Sequence, residues 1–563
     1  MDNYFVSSCK RVKDWICRQF GQKEKKTVHH KKFADGGEVI VWETGRAGEE
    51  AASYENLFLR KEIAGFRTNI RREQSCSIKS LTRDYLYKQL LSSGEYTFDH
   101  MLVIKDPYGE APLTALALFI LEEPACVRVT TKGNLKETDF VTELPKKKEH
   151  RVPILGMYAE KANDIVIEIL DDEGNCVKSH TFTIRTKRLP KSLRNVITVK
   201  KWTDKPAYSN IMINGGVKIH TCVFDIEGKI RYYLSRKPRG YGIFPLSDGH
   251  FFYMEKYISV PSYSNPQTVE SYDMDYFGRV FRTYLTEKGV HHTAEEKAGG
   301  NILTGSNSML EHTEDCVIEI DRQTGEIVWQ LNMAEIFDET YQNMMDWCHV
   351  NSAAYYEKDR TILISLRNVH AVICVDYDTK KLRWILSDPK FWEGTKMTPY
   401  LLQPEGDVKW CYQQHAAFEI ALPDESNPQK KRIIVYDNHW AKRRKAKSFD
   451  KDPLSYVSFY DIDEEKKTVS LHKRFAGPKT RIRANGIYVP DKRRVYNMAG
   501  SYAEPVDGDG GGIFEYDYET GEVLSEFGVK PGFFRAYPFE PNVQELAEPM
   551  QVTGDYQVGQ IKQ

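Results

Sequence analysis

Histidine, asparagine and arginine side chains recur at comparable points of successive β-type repeats in the second half of the chain. A single histidine usually caps a turn or bridges backbone groups at a strand end. Residues of this kind from several neighbouring repeats instead predict a shared site, because the loops at one end of a ring of repeats converge. The candidates are His291, His292, His349, Asn351, Arg367, His370, His415, Asn438 and His439.

The residue types favour an anion over a metal as the bound group. No aspartate or glutamate stands at a comparable place beside the histidines, and Arg367 would repel a cation. A guanidinium presents a planar fork of donors that suits the oxygens of an anion. The sequence therefore predicts an anion site without a metal, and a metal-dependent lyase or hydrolase stays open as an alternative.

A repeated hairpin must position these residues. An aspartate, a turn and an outgoing strand recur six times, mostly about 45 to 55 residues apart, which is the period of a four-stranded propeller blade. We expect an all-β chain with a six-bladed β-propeller over residues 196–563, with the hairpins of one large β-sandwich as the alternative. The six anchors are Asp225, Asp273, Asp321, Asp376, Asp461 and Asp517.

Two further units precede the repeats. Residues 93–195 carry short β-type runs such as TALALFILEE and DIVIEILDDEGN, which predict a small antiparallel β-sandwich. Residues 1–92 are charged and mixed, and we interpret them as an N-terminal extension that is partly helical around SLTRDYLYKQLLSS.

Composition excludes several classes of protein. The 79 Lys and Arg residues nearly cancel the 80 Asp and Glu residues, so the sequence gives no reason to expect nucleic acid as a partner. The ten cysteines show no CxxC pair, which argues against a zinc module. No stretch is apolar enough to span a membrane, and the N-terminus lacks a signal-peptide pattern, so the expected location is cytoplasmic.

Several of these segments resemble the aryl-sulfate sulfotransferases, which take a sulfuryl group from a phenolic sulfate ester and need no nucleotide sulfate. The matching text is DWCHVNSAAYYEKDRTILISLRNVHAVICVDYDT, QQHAAFEI with IIVYDN, LSYVSFYDID, FFRAYPF and, earlier, HRVPILGMYAEKANDIVIEIL. The resemblance implies a six-bladed propeller preceded by a β-sandwich, phenolic sulfate esters and phenols as small-molecule partners, no cofactor and a homodimer. Better-known members are exported, which makes a periplasmic location the alternative.

The resemblance also implies roles for particular residues. His415 looks like the histidine that the family sulfates transiently, and His292, His349, Asn351 and Arg367 look like its companions around the sulfuryl group. The implied reaction is a ping-pong transfer, in which neutral His415 attacks sulfur and forms a sulfo-histidine. Arg367, Asn351 and His292 would cradle the sulfuryl oxygens. His349 would protonate the departing phenolate and reverse that role with the acceptor phenol.

Three further assignments come from shorter matches to the family or from a departure from its pattern. His292 is preferred to His291 because its distance to the following AGGNIL turn fits the family, and Tyr537 of RAY looks like the family's aromatic residue near the site. The family generally has a Ser/Thr-rich strand where this chain reads RIRANGIYVP, so no threonine ligand is carried over. The residues that could take its place are Arg481, Arg483 and Asn485.

Two other functions stay open on the sequence alone. Water in place of the acceptor phenol would make the protein a sulfate-ester hydrolase on the same site. The second alternative is a propeller that binds ligands or partners without catalysis. It stays open because a fold alone does not determine a function. The basic cluster AKRRKAKSFDK at 441–451 would steer anionic esters in one interpretation and is an ordinary solvated loop in the other.

Overall fold

The computed structural model of this chain describes residues 28–33, 36–52, 54, 76–203, 205–216, 218–236, 241–258, 267–308, 312–342, 344–422, 427–440, 452–550 and 559–560. The basic cluster at 441–451 and the first 27 residues of the predicted extension lie outside them. Three α-helices occur in the described residues: α1 Thr44–Ala52, α2 Cys76–Ser92 and α3 Val543–Ala547. Helix α2 lies over the run in which the sequence predicts helix, and no described helix is long and apolar enough to cross a membrane.

One sheet accounts for the strands before residue 190. Its strands are β1 Val28–Lys32, β2 Glu38–Trp42, β3 His100–Lys105, β4 Ala115–Thr131, β5 Phe140–Ile154, β6 Ala162–Leu170 and β7 Cys176–Arg185. Their order is β1-β2-β3-β4-β6-β7, and β5 also pairs with β4. The expected β-sandwich is not confirmed, because the 17-residue β4 continues through a register shift after Ile120 and connects strands that a sandwich would divide between two sheets.

The remaining strands begin at residue 197. In chain order they are β8 Ile197–Lys201, β9 Asn210–Asn214, β10 Cys222–Asp225, β11 Ile230–Tyr233, β12 Gly242–Pro245, β13 His250–Ile258, β14 Gln267–Asp275, β15 Val280–Glu296, β16 Ile302–Ser306, β17 Cys316–Ile320, β18 Ile327–Asn332, β19 Val350–Tyr356, β20 Thr361–Leu366, β21 Ala371–Asp376, β22 Leu382–Leu386, β23 Gln403–Pro404, β24 His415–Ile420, β25 Lys430–Asp437, β26 Leu454–Asp463, β27 Thr468–Pro478, β28 Asn485–Val489, β29 Arg494–Ala499, β30 Gly511–Asp517, β31 Val523–Val529, β32 Arg535–Pro538 and β33 Gly559–Gln560.

These strands form a propeller-like all-β arrangement, as predicted, but not six separate blades. Four sheets have four or five strands, in the orders β11-β10-β9-β32, β19-β20-β21-β22, β23-β27-β26-β25-β24 and β28-β29-β30-β31-β8. The fifth sheet has eight strands and runs from β12 to β18, with β33 beside β15. The 17-residue β15 pairs with β14 along its first half and with β16 along its second, so the repeats anchored at Asp273 and Asp321 share one sheet.

Segments from both ends of the repeat region complete sheets that belong to distant parts of the chain. Strand β8 pairs antiparallel with β31, and β32 pairs antiparallel with β9. The first strand of the region, β8, therefore belongs to the sheet of β28 to β31, which is the last one along the chain. Strand β32, near residue 535, belongs to the sheet of β9 to β11, which is the first one. This double pairing joins the two ends of the repeat region.

The aspartates that begin the hairpin turns differ from the predicted anchors in two repeats. The carboxylates of Asp225, Asp321, Asp376 and Asp517 accept backbone N–H groups of their turns, as an Asx turn requires. In the second repeat Asp275 does this and not Asp273, and in the fifth Asp463 does it and not Asp461. Each predicted anchor lies two residues early, because the alternating sequence YDxD offers two aspartates on the same face of the strand.

A buried ion network ties α2 and β5 to the propeller-like region. An Arg151 nitrogen lies 2.5 Å from Asp84, and Arg279 is 3.7 Å from Asp84 and 2.5 Å from Asp275. Asp84 also accepts a hydrogen bond from the hydroxyl of Tyr108. Burial alone would raise the pKa of Asp84, but Arg151 and Arg279 hold it below its usual range.

Asp84→Asn is expected to lower the free energy of unfolding by about 3–5 kcal/mol, because it leaves two buried guanidinium groups without their shared carboxylate. The lowered pKa means that this contribution is present above the unfolded pKa of about 3.9 and is lost as the pH falls through the lower folded value. Urea unfolding at pH 7 measures the loss. Asp172→Asn, which breaks the exposed Lys146–Asp172 pair, is the control and should cost far less, because water screens an exposed ion pair; equal losses would contradict the prediction.

Candidate active site

Irregular backbone positions carry the predicted histidines. His292 has a φ of 58° at the point where the pairing of β15 with β16 shifts register. His349, also with a φ of 58°, lies directly before β19. Ala416 has a φ of 49° beside His415, where β24 shifts register against β25. Left-handed non-glycine residues and bulges cost free energy and re-aim side chains, and both features concentrate at functional sites.

The strands that carry these positions lie side by side. β15 contacts β19, β19 contacts β24, β24 contacts β28 and β28 contacts β32. As a result the rings of His292 and His349 have centroids 4.7 Å apart, and His349 and Arg367 both lie close enough to His415 to lower its pKa. The structure thus brings His292, His349, Arg367 and His415 into one buried cluster.

A hydrogen bond to Asn438 defines which ring nitrogen of His415 carries the lone pair. Its Nδ1 is 2.5 Å from the side-chain oxygen of Asn438, whose amide nitrogen donates in turn to Thr480. Nδ1 of His415 is therefore the donor, and Nε2 keeps its lone pair. The backbone N–H of Arg483 points at that Nε2 from 3.4 Å. Nε2 is therefore the nitrogen of His415 that can act as a nucleophile.

Cations surround His415. Burial lowers the pKa of His415 most, and the neighbouring Arg367, His349 and Arg535 lower it further, so the ring is neutral at pH 7. The two terminal nitrogens of Arg367 donate to Asn368 and Gln413, and one of them also reaches the carbonyl oxygen of Arg481. Arg367 and Arg535 are both buried, at 8% and 2% exposure. A buried pair of guanidinium groups beside a neutral imidazole suits an anionic substrate.

His349 differs from the other histidines because two carboxylates face it. Its Nδ1 lies 2.6 Å from Glu314 and 2.9 Å from Asp346. Burial lowers the pKa of His349, but Asp346 and Glu314 outweigh it and raise the pKa to about 9. His349 is therefore an imidazolium at pH 7, next to a neutral His415. The cluster holds an acid and a nucleophile at the same pH.

The expectation that no acidic residue stands beside the histidines is wrong. Glu314 lies between His292 and His349, and donor atoms of His291, His292 and Glu314 lie within 4.8 Å of one another, as do those of Glu314, Asp346 and His349. Nδ1 of His349 lies 2.6 Å from an oxygen of Glu314 and 2.9 Å from an oxygen of Asp346. Two atoms that bind the same metal ion lie farther apart than this, so the geometry favours a proton over a metal between them.

The adjacent residues His291 and His292 contact each other. Nε2 of His291 is 2.8 Å from the carbonyl oxygen of Ser306, and its Nδ1 is 3.2 Å from Nδ1 of His292. The ring of Tyr241 covers His292 at a centroid distance of 4.3 Å, and the Tyr241 hydroxyl donates to Glu314. Burial is the main cause that lowers the pKa of His292 well below its usual value, and His349 adds to it.

Asn351 and Tyr537 lie at the edge of the cluster. The side-chain nitrogen of Asn351 donates to the backbone carbonyl of Gln414, 2.8 Å away, which supports the strand that presents His415. Its side-chain oxygen is buried and has no hydrogen-bond partner among the described residues. Tyr537 follows Arg535 by two residues on β32, so both face the same side, and burial raises the pKa of Tyr537 to about 12.

The remaining candidates have structural partners. Nδ1 of His370 accepts the backbone N–H of Gln413, and His439 lies 2.7 Å from Asp437. In the RIRANG segment, the carbonyl of Arg481 reaches Arg367, the backbone of Arg483 reaches His415, and Asn485 donates to the carbonyl of Ala536. Backbone groups of this segment therefore line the site, where the family resemblance leads one to expect a threonine side chain.

Three residues of the cluster were not among the sequence candidates: Glu314, Asp346 and Arg535. Asp346 is part of the quoted motif DWCHVN, and Arg535 is part of FFRAYPF, so the signal for both was present. Arg535 donates to the backbone carbonyl of Asn351 at 2.7 Å and lies 3.8 Å from Glu295. Glu314 lies in the turn before β17, outside every repeated motif.

Comparison with known families identifies the group to which this fold and site belong. The family model described as arylsulfotransferase matches residues 195–535, and the model described as arylsulfotransferase Ig-like domain matches residues 102–187. The first covers the whole cluster and more than half of the chain. The chain therefore belongs to the arylsulfotransferase family, a family of sulfotransferase enzymes.

Individual relatives are distant. The chain is 22% identical to an arylsulfate sulfotransferase of Lelliottia amnigena and 23% identical to one of Escherichia coli O6:H1, in both cases over 76% of this chain and 90% of the relative. Among solved structures, an auxiliary nutrient binding protein of Bacteroides thetaiotaomicron aligns over 74% of this chain and 94% of its own, with 12% identity and a TM-score of 0.33.

Proposed function

We propose that the protein transfers a sulfuryl group from a phenolic sulfate ester to an acceptor phenol through a sulfo-histidine at His415, without a nucleotide or a metal. The observation that supports this most is the pairing of charge states in the cluster. His415 is neutral with a lone pair on Nε2, and His349 beside it is protonated. A nucleophile and an acid in these states fit attack on sulfur with departure of a phenolate.

The first half-reaction forms the sulfo-enzyme. Nε2 of His415 attacks sulfur, the bond between sulfur and the phenolic oxygen breaks, and His349 gives its proton to that oxygen. Arg367 would neutralise charge that develops on the sulfuryl oxygens, and the backbone N–H of Arg483, 3.4 Å from the reacting nitrogen, would add a second donor. The second half-reaction transfers the group from His415 to the acceptor phenol.

A two-substrate assay with chelator tests this function. The protein is mixed with 4-nitrophenyl sulfate and phenol in the presence and absence of EDTA. We expect release of 4-nitrophenol that depends on phenol, with phenyl sulfate as the second product, at the same rate in both conditions. Folded protein that releases no nitrophenol under either condition contradicts the proposal.

Product analysis separates the alternatives in the same experiment. Release of nitrophenol at a rate that does not depend on phenol, with inorganic sulfate as product, would identify a hydrolase. Loss of activity in EDTA that returns with added zinc would show that the corner around Glu314 holds a catalytic metal.

A further inference from the structure

The hydrogen bonds of His291 determine which nitrogen of His292 carries a proton. The carbonyl oxygen of Ser306 can only accept, so the Nε2 of His291 that lies 2.8 Å from it is the donor. Burial lowers the pKa of His291, so its ring is neutral and its Nδ1 is a lone pair. That lone pair faces Nδ1 of His292 at 3.2 Å.

The second neighbour of His292 Nδ1 is also an acceptor. A carboxylate oxygen of Glu314 lies 3.7 Å from the same nitrogen. With acceptors on both sides, Nδ1 of His292 keeps its hydrogen and Nε2 is left bare. A neutral His292 in this tautomer cannot donate to a sulfuryl oxygen through Nε2, which removes it from the donor cradle that the family resemblance implies. The charged and titratable groups around it are Tyr241, His291, Glu314, His349, His415 and Arg535.

We propose that His291 is a positioning residue that fixes the tautomer of His292, and that Nε2 of His292 receives the hydroxyl proton of the acceptor phenol. This inference rests on the proposed function. In the second half-reaction the phenolic oxygen forms a bond to sulfur, the bond between sulfur and His415 breaks, and its electron pair returns to Nε2 of His415. The phenolic proton passes to His292 and then to solvent.

The contacts of His349 explain why a second base is needed. The Nδ1–H of His349 donates to Asp346 at 2.9 Å, and the carboxylate of Glu314, 2.6 Å from the same nitrogen, adds its charge, so both stabilise the imidazolium. Once the first phenol has left, His349 takes a proton back from solvent and is no longer a base when the acceptor arrives. His292 has its Nδ1 hydrogen held between His291 and Glu314, which leaves its Nε2 as the acceptor for the phenolic proton.

Gly305 offers a second way to move the ring of His291. A Cβ at this position would lie 2.6 Å from Cε1 and 2.8 Å from Nδ1 of His291, closer than such atoms approach. The backbone of β16 is therefore free of a side chain where the His291 ring lies against it. Gly305→Ala displaces the ring of His291 while all proposed catalytic side chains keep their chemical identity.

The test compares acceptors that do and do not need a base. With 4-methylumbelliferyl sulfate as donor at pH 7, transfer to phenol requires removal of a proton, whereas transfer to pentafluorophenol, which is already ionised, does not. We expect His291→Leu and Gly305→Ala to slow transfer to phenol about 100-fold and transfer to pentafluorophenol less than about threefold. His291→Gln keeps a donor for Ser306 and an acceptor for His292, and should recover most of the phenol activity.

Two controls keep the inference distinguishable from the proposed function. The burst of methylumbelliferone before any acceptor is added reports the first half-reaction, which should change less than about threefold in all three variants. His150→Leu, a buried histidine of the N-terminal sheet, controls for loss of stability. Equal slowing with both acceptors, or no slowing with either, overturns the role of His291; absence of any burst in the unmodified protein overturns the proposed function instead.

Discussion

His415→Asn is expected to abolish sulfuryl transfer and to lower kcat by at least about 10⁴-fold, because the reaction loses its nucleophile. The asparagine amide nitrogen has no basic lone pair with which to attack sulfur. Mass spectrometry of the protein after incubation with 4-nitrophenyl sulfate alone measures the consequence directly. The unmodified protein should gain one sulfuryl group and the variant none.

The neighbouring residues make this result interpretable. The side chains of Arg367 and His349 do not depend on the His415 ring, because their partners are Asn368 for Arg367 and the carboxylates of Asp346 and Glu314 for His349, so both should keep their positions. His150→Asn provides a folded comparison with one buried histidine fewer. A His415→Asn protein that still accumulates the sulfo-enzyme would show that another residue is the nucleophile.

His349→Gln is expected to slow the first half-reaction by about 10²- to 10⁴-fold with phenyl sulfate, whose leaving phenolate has a conjugate acid of pKa about 10. With 4-nitrophenyl sulfate the loss should be far smaller, since nitrophenolate leaves without a proton. Glutamine retains a donor and an acceptor but cannot give up a proton. Single-turnover rates with the two donors provide the comparison.

The pH dependence of the first half-reaction gives a second test of His349 as the general acid. Because Asp346 and Glu314 raise the pKa of His349 to about 9, the acid form is present below that value. The first half-reaction with phenyl sulfate should therefore fall as the pH rises through about 9. This alkaline limb should disappear in His349→Gln, and a limb that stays unchanged would assign the acid to another group.

The sequence predicted local hairpins better than it predicted sheets. Turn aspartates and strand runs are local signals, and they located the repeats to within two residues even where Asp275 and Asp463 replaced the predicted anchors. Sheet membership depends on how long a strand continues past its own turn. β15 and β4 both continue for 17 residues, and each unites strands that the repeat spacing and the sandwich pattern assign to separate sheets.

The grouping of the histidines was predictable from their motifs, and the contribution of Glu314 was not. His349 and His415 lie in long motifs with an obvious counterpart in a known family. Glu314 lies in an irregular turn, and nothing in the text EHTEDCV distinguishes it from Asp315 as the residue that meets His349. The tautomers of the histidines could not be predicted from the sequence either. They depend on which acceptor faces each ring nitrogen, as the side-chain oxygen of Asn438 faces Nδ1 of His415.

Because β32 pairs with β9, the site is completed by a part of the chain that is synthesised late. Arg535 and Tyr537 reach the cluster on the strand that completes the first sheet. Residue 535 leaves the ribosome after every histidine of the cluster, because it follows them in the sequence. The anion pocket of a nascent chain therefore lacks Arg535 and Tyr537 until β32 pairs with β9.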